Sequence, residues 1–359
     1  MKHIRFLTIL ATALLGAQEF AAATTFTTLE GCTSSERIRE NEWIYYGKND
    51  RSASGVQVTI SEGYENHSKD MVIAARAFYG AATDNKVTMT GGQVSDIYCG
   101  EAATTASGNT VIMTGGDVIN YLYAGKSEDV ASGNVAILVG HSGVGFLYGG
   151  SGPKATDNKI YLVGNGATAT IADAQGNKAT YTSSDTGGVI NLYQIYGGVG
   201  TETSSGNSVD IYGTGTYASG SMTDIQILNF HIAEALAKAE SPMFKMTSPS
   251  ELDALNLTGV NLGFYCDDVQ DWSVFDGKSI TLVYAATQPI TVEKGSLGNV
   301  EIKAEDGAVI ATATLGLDRE NKSLVLSDIK AAPPVPEPAT DSLSLLALAG
   351  LAARRRRRK

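Results

Sequence analysis

Three stretches in the middle of the chain, DNKVTMTGGQVSDIYCG (84–100), GNTVIMTGGDVINYLYAG (108–125) and GNVAILVGHSGVGFLYGG (133–150), align along their whole length. Shorter copies follow as DNKIYLVGNG (157–166) and GNSVDIYGTG (206–215). One apolar column runs Val87, Val111, Val135, Ile160 and Val209, at spacings of 24, 24, 25 and 49 residues. Two residues on stand Met89, Met113, Ile137, Leu162 and Ile211. A tyrosine column, Tyr98, Tyr123, Tyr148 and Tyr196, is followed each time by Gly within two residues. The 49-residue step reads as two periods, with a degenerate copy in residues 167–198 that returns as VINLYQIYGG (189–198).

Apolar residues two apart put both side chains on one face of a strand. The Gly pair after them permits a corner at positive φ. A second short strand, a Y-x-G and a polar loop complete the unit. Such a unit has nothing of its own to bury its apolar face against, whereas units stacked about 4.8 Å apart bury it against one another. The expected fold is therefore all-β, a repeat-built β-solenoid of parallel β-helix type over residues 81–223. Antiparallel hairpins in a sandwich or barrel are the alternative, because Gly-Gly also turns hairpins. The column Asn85, Asn109, Asn134, Asn158 and Asn207 reads as turn chemistry, with a buried amide ladder as the other option.

The flanks differ. Residues 24–80 make an N-terminal β region with GVQVTI and MVIAARAFYG as strands. Past residue 224 the period lapses. There IQILNFHI, MFKMT, VNLGFY, KSITLVYAA, ITVEK, NVEIKA and KSLVLSDI read as strands of a non-repeat β cap, residues 224–330. IAEALAKAE (232–240) fits a short helix or a loop equally. Residues 331–341 form a Pro-rich linker, and 342–359 a short apolar helix with a basic tail.

At the N-terminus, Lys2 and Arg5 precede the apolar run 6–17, and Ala21 and Ala23 supply an A-x-A cleavage site. Residues 1–23 thus read as a secretory signal peptide. Residues 24–338 carry 19 basic and 36 acidic side chains, a net charge of −17. That excess argues against nucleic acid or anionic lipid as partner, since both need clustered Lys and Arg. Three cysteines, Cys32, Cys99 and Cys266, leave at least one unpaired within a monomer, and no Cys/His cluster has zinc spacing.

Catalytic constellations are thin, and neither an enzymatic activity nor a cofactor is expected. GHSGVG (140–145) lacks the second Gly of a nucleophile elbow and falls on a repeat corner. SGPK (151–154) matches S-x-x-K, but Pro153 opposes the helix that motif needs. His67, His141 and His231 have no partner at metal spacing, and Asp267, Asp268 and Asp271 read as a solvated acidic loop. A carboxylate group there would suit Ca²⁺ or polysaccharide chemistry, so a polysaccharide-degrading enzyme on the same scaffold is the alternative function. The tyrosine column, if exposed, would offer rings to glycans; partial burial is expected.

Two resemblances bear on function. The units SGN-x-V-x-x-x-GG-x-V with IYGG, and the succession ILNFHI, MFKMT, LNLTGVNLGF and KSITLVYAA, resemble passenger repeats of bacterial autotransporter adhesins, without the membrane barrel that exports such passengers. The C-terminus resembles the PEP-CTERM sorting signal: Pro336, Glu337 and Pro338, then the apolar Leu343–Ala353, then Arg354, Arg355, Arg356, Arg357, Arg358 and Lys359. That resemblance implies transient insertion in the inner membrane of a Gram-negative bacterium, processing by an exosortase, and passage to the cell surface or extracellular matrix. The apolar run has 11 residues, short of the ~20 that span a bilayer, which suits a temporary stop with the basic tail held cytoplasmic. A structural or adhesive role follows as the expectation, with exopolysaccharide or host glycans as partners. A passive surface-layer component with no specific ligand is a further option.

Overall fold

The computed structural model describes residues 24–27, 38–40, 43–49, 52–60, 71–184, 188–247, 254–266 and 269–332. Their regular secondary structure is nearly all strand, with a few short 3₁₀ turns. The signal peptide with Ala21 and Ala23, Cys32, His67, Asp267, Asp268, the Pro336-Glu337-Pro338 motif, the apolar helix and Arg354–Lys359 lie outside the described residues.

Each unit within residues 81–223 contributes one strand to each of three parallel ladders. The first ladder runs Gln57–Ile60, the start of Lys86–Val94, the start of Thr110–Tyr123, Val135–Val139, Lys159–Val163, Ser208–Tyr212, Ile227–Ile232 and Asn261–Cys266. The second runs from Trp43–Asn49 through Met71–Ala77, Asp96–Ala102, the end of Thr110–Tyr123, Ser142–Tyr148 and Ile190–Tyr196 to Thr216–Ala218, Phe244–Met246 and Ser279–Ala285. The third stacks Ala53–Ser54, Ala81–Thr83, Thr105–Ser107, Val130–Ser132, Lys154–Thr156 and Thr203–Ser205. Corners between the first two ladders turn at glycine where the sequence has a pair, with φ of 80° at Gly92 and 91° at Gly116.

The parallel pairing extends beyond residues 81–223 on both sides. Antiparallel strands close the ladders: Thr24–Thr27 on Gln57–Ile60, Ile38–Glu40 on Trp43–Asn49, and Ser323–Ala331 on Ser279–Ala285. Gly298–Lys303 and Val309–Leu317 pair beside the last of these. Covering sheet edges removes templates for pairing with other chains. In the cap region, ITVEK makes no strand, Val309–Leu317 adds one the sequence did not suggest, and residues 234–238 form a 3₁₀ turn.

Three expectations about the repeats are corrected here. The 49-residue step is one unit, not two. Lys159–Val163 pairs directly with Ser208–Tyr212, and Asn158 bonds Asn207. The excess is an antiparallel hairpin, Thr168–Ala172 with Lys178–Thr182. It lies across the outside of the first ladder, where Ala167, Ala169 and Ile171 cover Ile112, Val135, Ile137, Val139, Val163 and Tyr212. Its tip is fastened by Lys86 Nζ to Asp173 Oδ2 at 3.3 Å and by Gln175 Nε2 to Asp84 Oδ1 at 3.3 Å. Burial pushes the Asp173 carboxyl up, but hydrogen bonds from Asn177 and Lys86 outweigh it and hold it below the usual carboxylate value. The fastening is therefore complete above that usual value and lost as pH falls through the lowered one.

The second correction concerns register. The inward column is Val87, Val111, Ala136, Ile160, Val209, and its companion Met89, Met113, Leu138, Leu162, Ile211. In the third unit Val135 and Ile137 face outward, under the hairpin. A one-residue slip swaps every side chain between faces. Here VAILV is apolar at every position because both of its faces are covered.

The asparagines are not turn residues but a continuous buried amide ladder. Asn85, Asn109, Asn134, Asn158 and Asn207 are all 0% exposed. Each Nδ2 donates to the next Oδ1 at 2.8–2.9 Å. The second Nδ2 hydrogen goes to a third-ladder carbonyl: Ala53, Ala82, Ala106, Ala131 and Ala155 in turn. Each Oδ1 also accepts the backbone N–H of the preceding unit, from Val56, Asn85, Asn109, Asn134 and Asn158. Gln226 ends the column, its Oε1 accepting from Asn207 Nδ2 at 3.0 Å. The turn chemistry falls one residue earlier, at Asp84, Gly108, Gly133, Asp157 and Gly206, all at φ of 56° to 67°.

The ladder also explains the Y-x-G motif. A Cβ at Gly100, Gly125, Gly150 or Gly198 would sit 2.3–2.5 Å from the amide of Asn109, Asn134, Asn158 or Asn207. Beside it, Cys99 is 0% exposed, its Sγ 3.3 Å from the carbonyls of Asn85 and Thr110. Burial pushes its thiol up to about 12. Peptide mapping after maleimide treatment is expected to find Cys99 unlabelled in the native chain and labelled in denaturant. Native labelling would contradict this packing.

An outward aromatic face as the candidate functional site

On the second ladder, Ile97, Leu122, Leu147 and Ile195 point inward, fully buried. The alternate positions face out, and these carry the tyrosine column. Its register is as the sequence implied: Tyr98 on Tyr123, Tyr123 on Tyr148, Tyr148 on Tyr196. Ring centroids are 5.1, 4.4 and 4.5 Å apart, with planes 6–20° from parallel. Tyr98 is 7% exposed and the others half-buried. Ile73 pairs below Tyr98 and Thr223 above Tyr196. The ring faces are therefore turned to one another, and the column presents edges and hydroxyls. Burial, then the neighbouring tyrosines and Asp96, raises the phenols of Tyr98 and Tyr123 well above their usual range, and Tyr148 likewise. These three phenols stay neutral across the physiological range.

Charges flank the column on one side. Glu101 pairs with Arg76 at 3.2 Å and Lys126 at 3.6 Å, and the Lys126 ammonium lies 4.9 Å from the Tyr98 ring centroid. The other side is different. Tyr121 and Phe146, each two residues before a column tyrosine, stack with centroids 5.1 Å apart, and Tyr193 meets Phe146 edge-on at 4.9 Å. Tyr121 is 38% exposed, Ile119 41% and Tyr193 47%. Below Tyr121 lies a polar shelf. Asp96 Oδ1 accepts the Tyr121 N–H at 3.2 Å, Ser95 Oγ bonds Asp96 Oδ2 at 2.5 Å, and Asn120 Nδ2 bonds Ser95 Oγ at 3.0 Å. No periodic signal in the sequence marks this patch. Tyr121 aligns with Phe146 but Phe146 aligns with Gln194, so no column repeats it, and Tyr193 joins from a different offset.

The other candidates are accounted for by local structure. His141 sits at a corner with φ of 59°. Ser142 is 1% exposed, with its hydroxyl donating to the Val139 carbonyl at 2.7 Å. Lys154 is 3.1 Å from Asp129 and 3.9 Å from Glu202, and Ser151 lies in a bridge to Lys126 and Val199. Asp271 accepts the Ser273 N–H at 2.9 Å, as cap of a 3₁₀ turn. His231 is placed against Asp210 at 3.2 Å and stacked on Tyr212 at 3.7 Å. That pairing crosses two units whose spacing is 19, which the 24-residue period hides. Among the described residues, no group of three or more His, Cys, Asp or Glu is placed to hold a metal ion. No described helix is long and apolar enough to cross a membrane.

Residues 334–359 match the family model of the PEP-CTERM protein-sorting motif. No curated protein and no solved structure matches the chain. The motif implies processing by an exosortase and export to the cell envelope or surface of a Gram-negative bacterium.

Proposed function

We propose that this is an exported β-solenoid protein of the bacterial surface or extracellular matrix, with a structural or adhesive role and no catalytic one. The observation that carries the reading is the sorting motif on residues 334–359 behind a stack of in-register units. A stack of this kind is stiff, because each unit is tied to its neighbours by backbone ladders and a buried amide column. The net charge of −17 over residues 24–338 keeps its surface soluble and self-repelling. Pro336, Glu337 and Pro338 are the sorting motif, and Arg354–Lys359 hold the tail in the cytoplasm until cleavage. The likeness of the repeats to autotransporter passengers supports an adhesive role. A degradative enzyme on the same scaffold is less well supported, since the acidic residue Asp271 caps its own turn.

Mass spectrometry of the mature protein is expected to find a chain that starts near Thr24 and ends near Pro338. An intact Lys359 on the surface protein would sink the sorting assignment. Deleting the gene is expected to weaken cell attachment or matrix cohesion; no change in either would remove the adhesive role.

A further inference from the structure

The geometry points to the Tyr121–Phe146–Tyr193 patch as a binding site for a neutral polysaccharide, read by ring stacking on the exposed aromatics and by hydroxyl contacts to the Asn120 amide. This inference rests on the adhesive reading above and gives it a place and a ligand class. Four observations lead to it. First, the two outward apolar faces of the molecule are treated differently. That of the first ladder is roofed by the hairpin of residues 168–182, while Ile119, Tyr121 and Tyr193 are each more than a third exposed. Large exposed apolar groups gathered in one place mark an interaction surface.

Second, the tyrosine column itself is not the platform. Its ring faces are spent on one another at 4.4–5.1 Å, and a pyranose stacks its C–H face on a ring face, not on a ring edge. Tyr121, packed on Phe146 and at 6.0 Å on Tyr123, and Tyr193, edge-on to Phe146, keep 38% and 47% of their surface exposed. Third, Asn120 beside Tyr121 is exposed, and its amide can both donate to and accept from sugar hydroxyls; Ser95 and Asp96, 5% and 4% exposed, are buried beneath it, and the Ser95 hydroxyl holds the amide in place. A protein partner of ordinary interface size would need a broader apolar centre than these four side chains. Fourth, the charge of −17 and the carboxylate of Asp96 at the site select against polyanions.

The test uses the purified chain in affinity electrophoresis through gels containing hydroxyethylcellulose, galactomannan or, as polyanion, alginate. Wild type is expected to be retarded by at least one neutral polymer and not by alginate. The double variant Tyr121→Ala/Tyr193→Ala is expected to lose at least tenfold in affinity, and Tyr121→Phe to retain binding. Tyr79→Ala, at an 80% exposed ring outside the patch, is expected to bind as wild type. Matching circular dichroism of all variants establishes that they fold. Full binding by the folded double variant, or equal retardation by alginate, would overturn the site. So would failure of wild type to bind any neutral polymer. In each case loss of cell attachment on gene deletion would still uphold the adhesive reading, so the two can fail separately.

Discussion

Asn134→Ala is expected to lower unfolding free energy by about 3 kcal/mol or more. The substitution leaves the Asn109 backbone N–H, one of the two Asn109 Nδ2 hydrogens and the Ala106 carbonyl without the partner that Asn134 supplies, in a site where Asn134 is 0% exposed. Each orphaned buried group costs roughly 1–3 kcal/mol, reduced where water can enter. Gly125→Ala is expected to cost about 1–3 kcal/mol by overpacking, since its Cβ would lie 2.3 Å from Asn134 Nδ2. The two share one space, so the double variant should be less destabilised than the sum of the singles. Urea denaturation of the four proteins measures this. Strict additivity would mean that Gly125 is not held small by the amide column, and a near-neutral Asn134→Ala would mean that the column is not structural.

The second large effect is expected from excising residues 165–188. Asn158 and Asn207 then stand 25 apart, as Asn109 and Asn134 do. The new junction, Gly164-Val189-Ile190, takes the place that Gly140-His141-Ser142 fills one unit earlier, where Ser142 pairs with Ile190. The ladders should therefore persist, with strand content per residue unchanged. The roof over Ile112, Val135, Ile137, Val139 and Val163 is gone, and the bare apolar face should bind a hydrophobic dye and self-associate. A variant that stays monomeric and dye-free would show that the hairpin is dispensable cover.

These same residues explain what the sequence disclosed. Parallel stacking and the tyrosine register were legible because Y-x-G recurs with a physical cause, the asparagine behind each glycine. On the first ladder the asparagine column kept true register through the third unit: residues two after Asn85, Asn109, Asn134, Asn158 and Asn207 are the inward ones. The valine column slipped at Val135, because hydrophobicity marks burial without saying under what. The hairpin looked like a worn repeat for a related reason: its own alternation, Ala169 and Ile171, is that of a strand, and only the pairing of Asn158 with Asn207 reveals it as an insertion. The aromatic patch was illegible because it is assembled from unlike residues of three units.

The insertion also sets a tempo. Loop closure governs how soon a segment can add to a growing structure, and its entropic cost rises by about 0.6 kcal/mol for each doubling of length. A chain emerging N-terminus first can lay down a unit about every 24 residues until Lys159–Val163 is in place. The next first-ladder strand, Ser208–Tyr212, is 49 residues further along. Meanwhile the hairpin, whose pairs are at most 14 residues apart, can close on its own. Its early docking would shield the apolar face of a half-made rod during that wait, at the stage when nascent chains aggregate most readily.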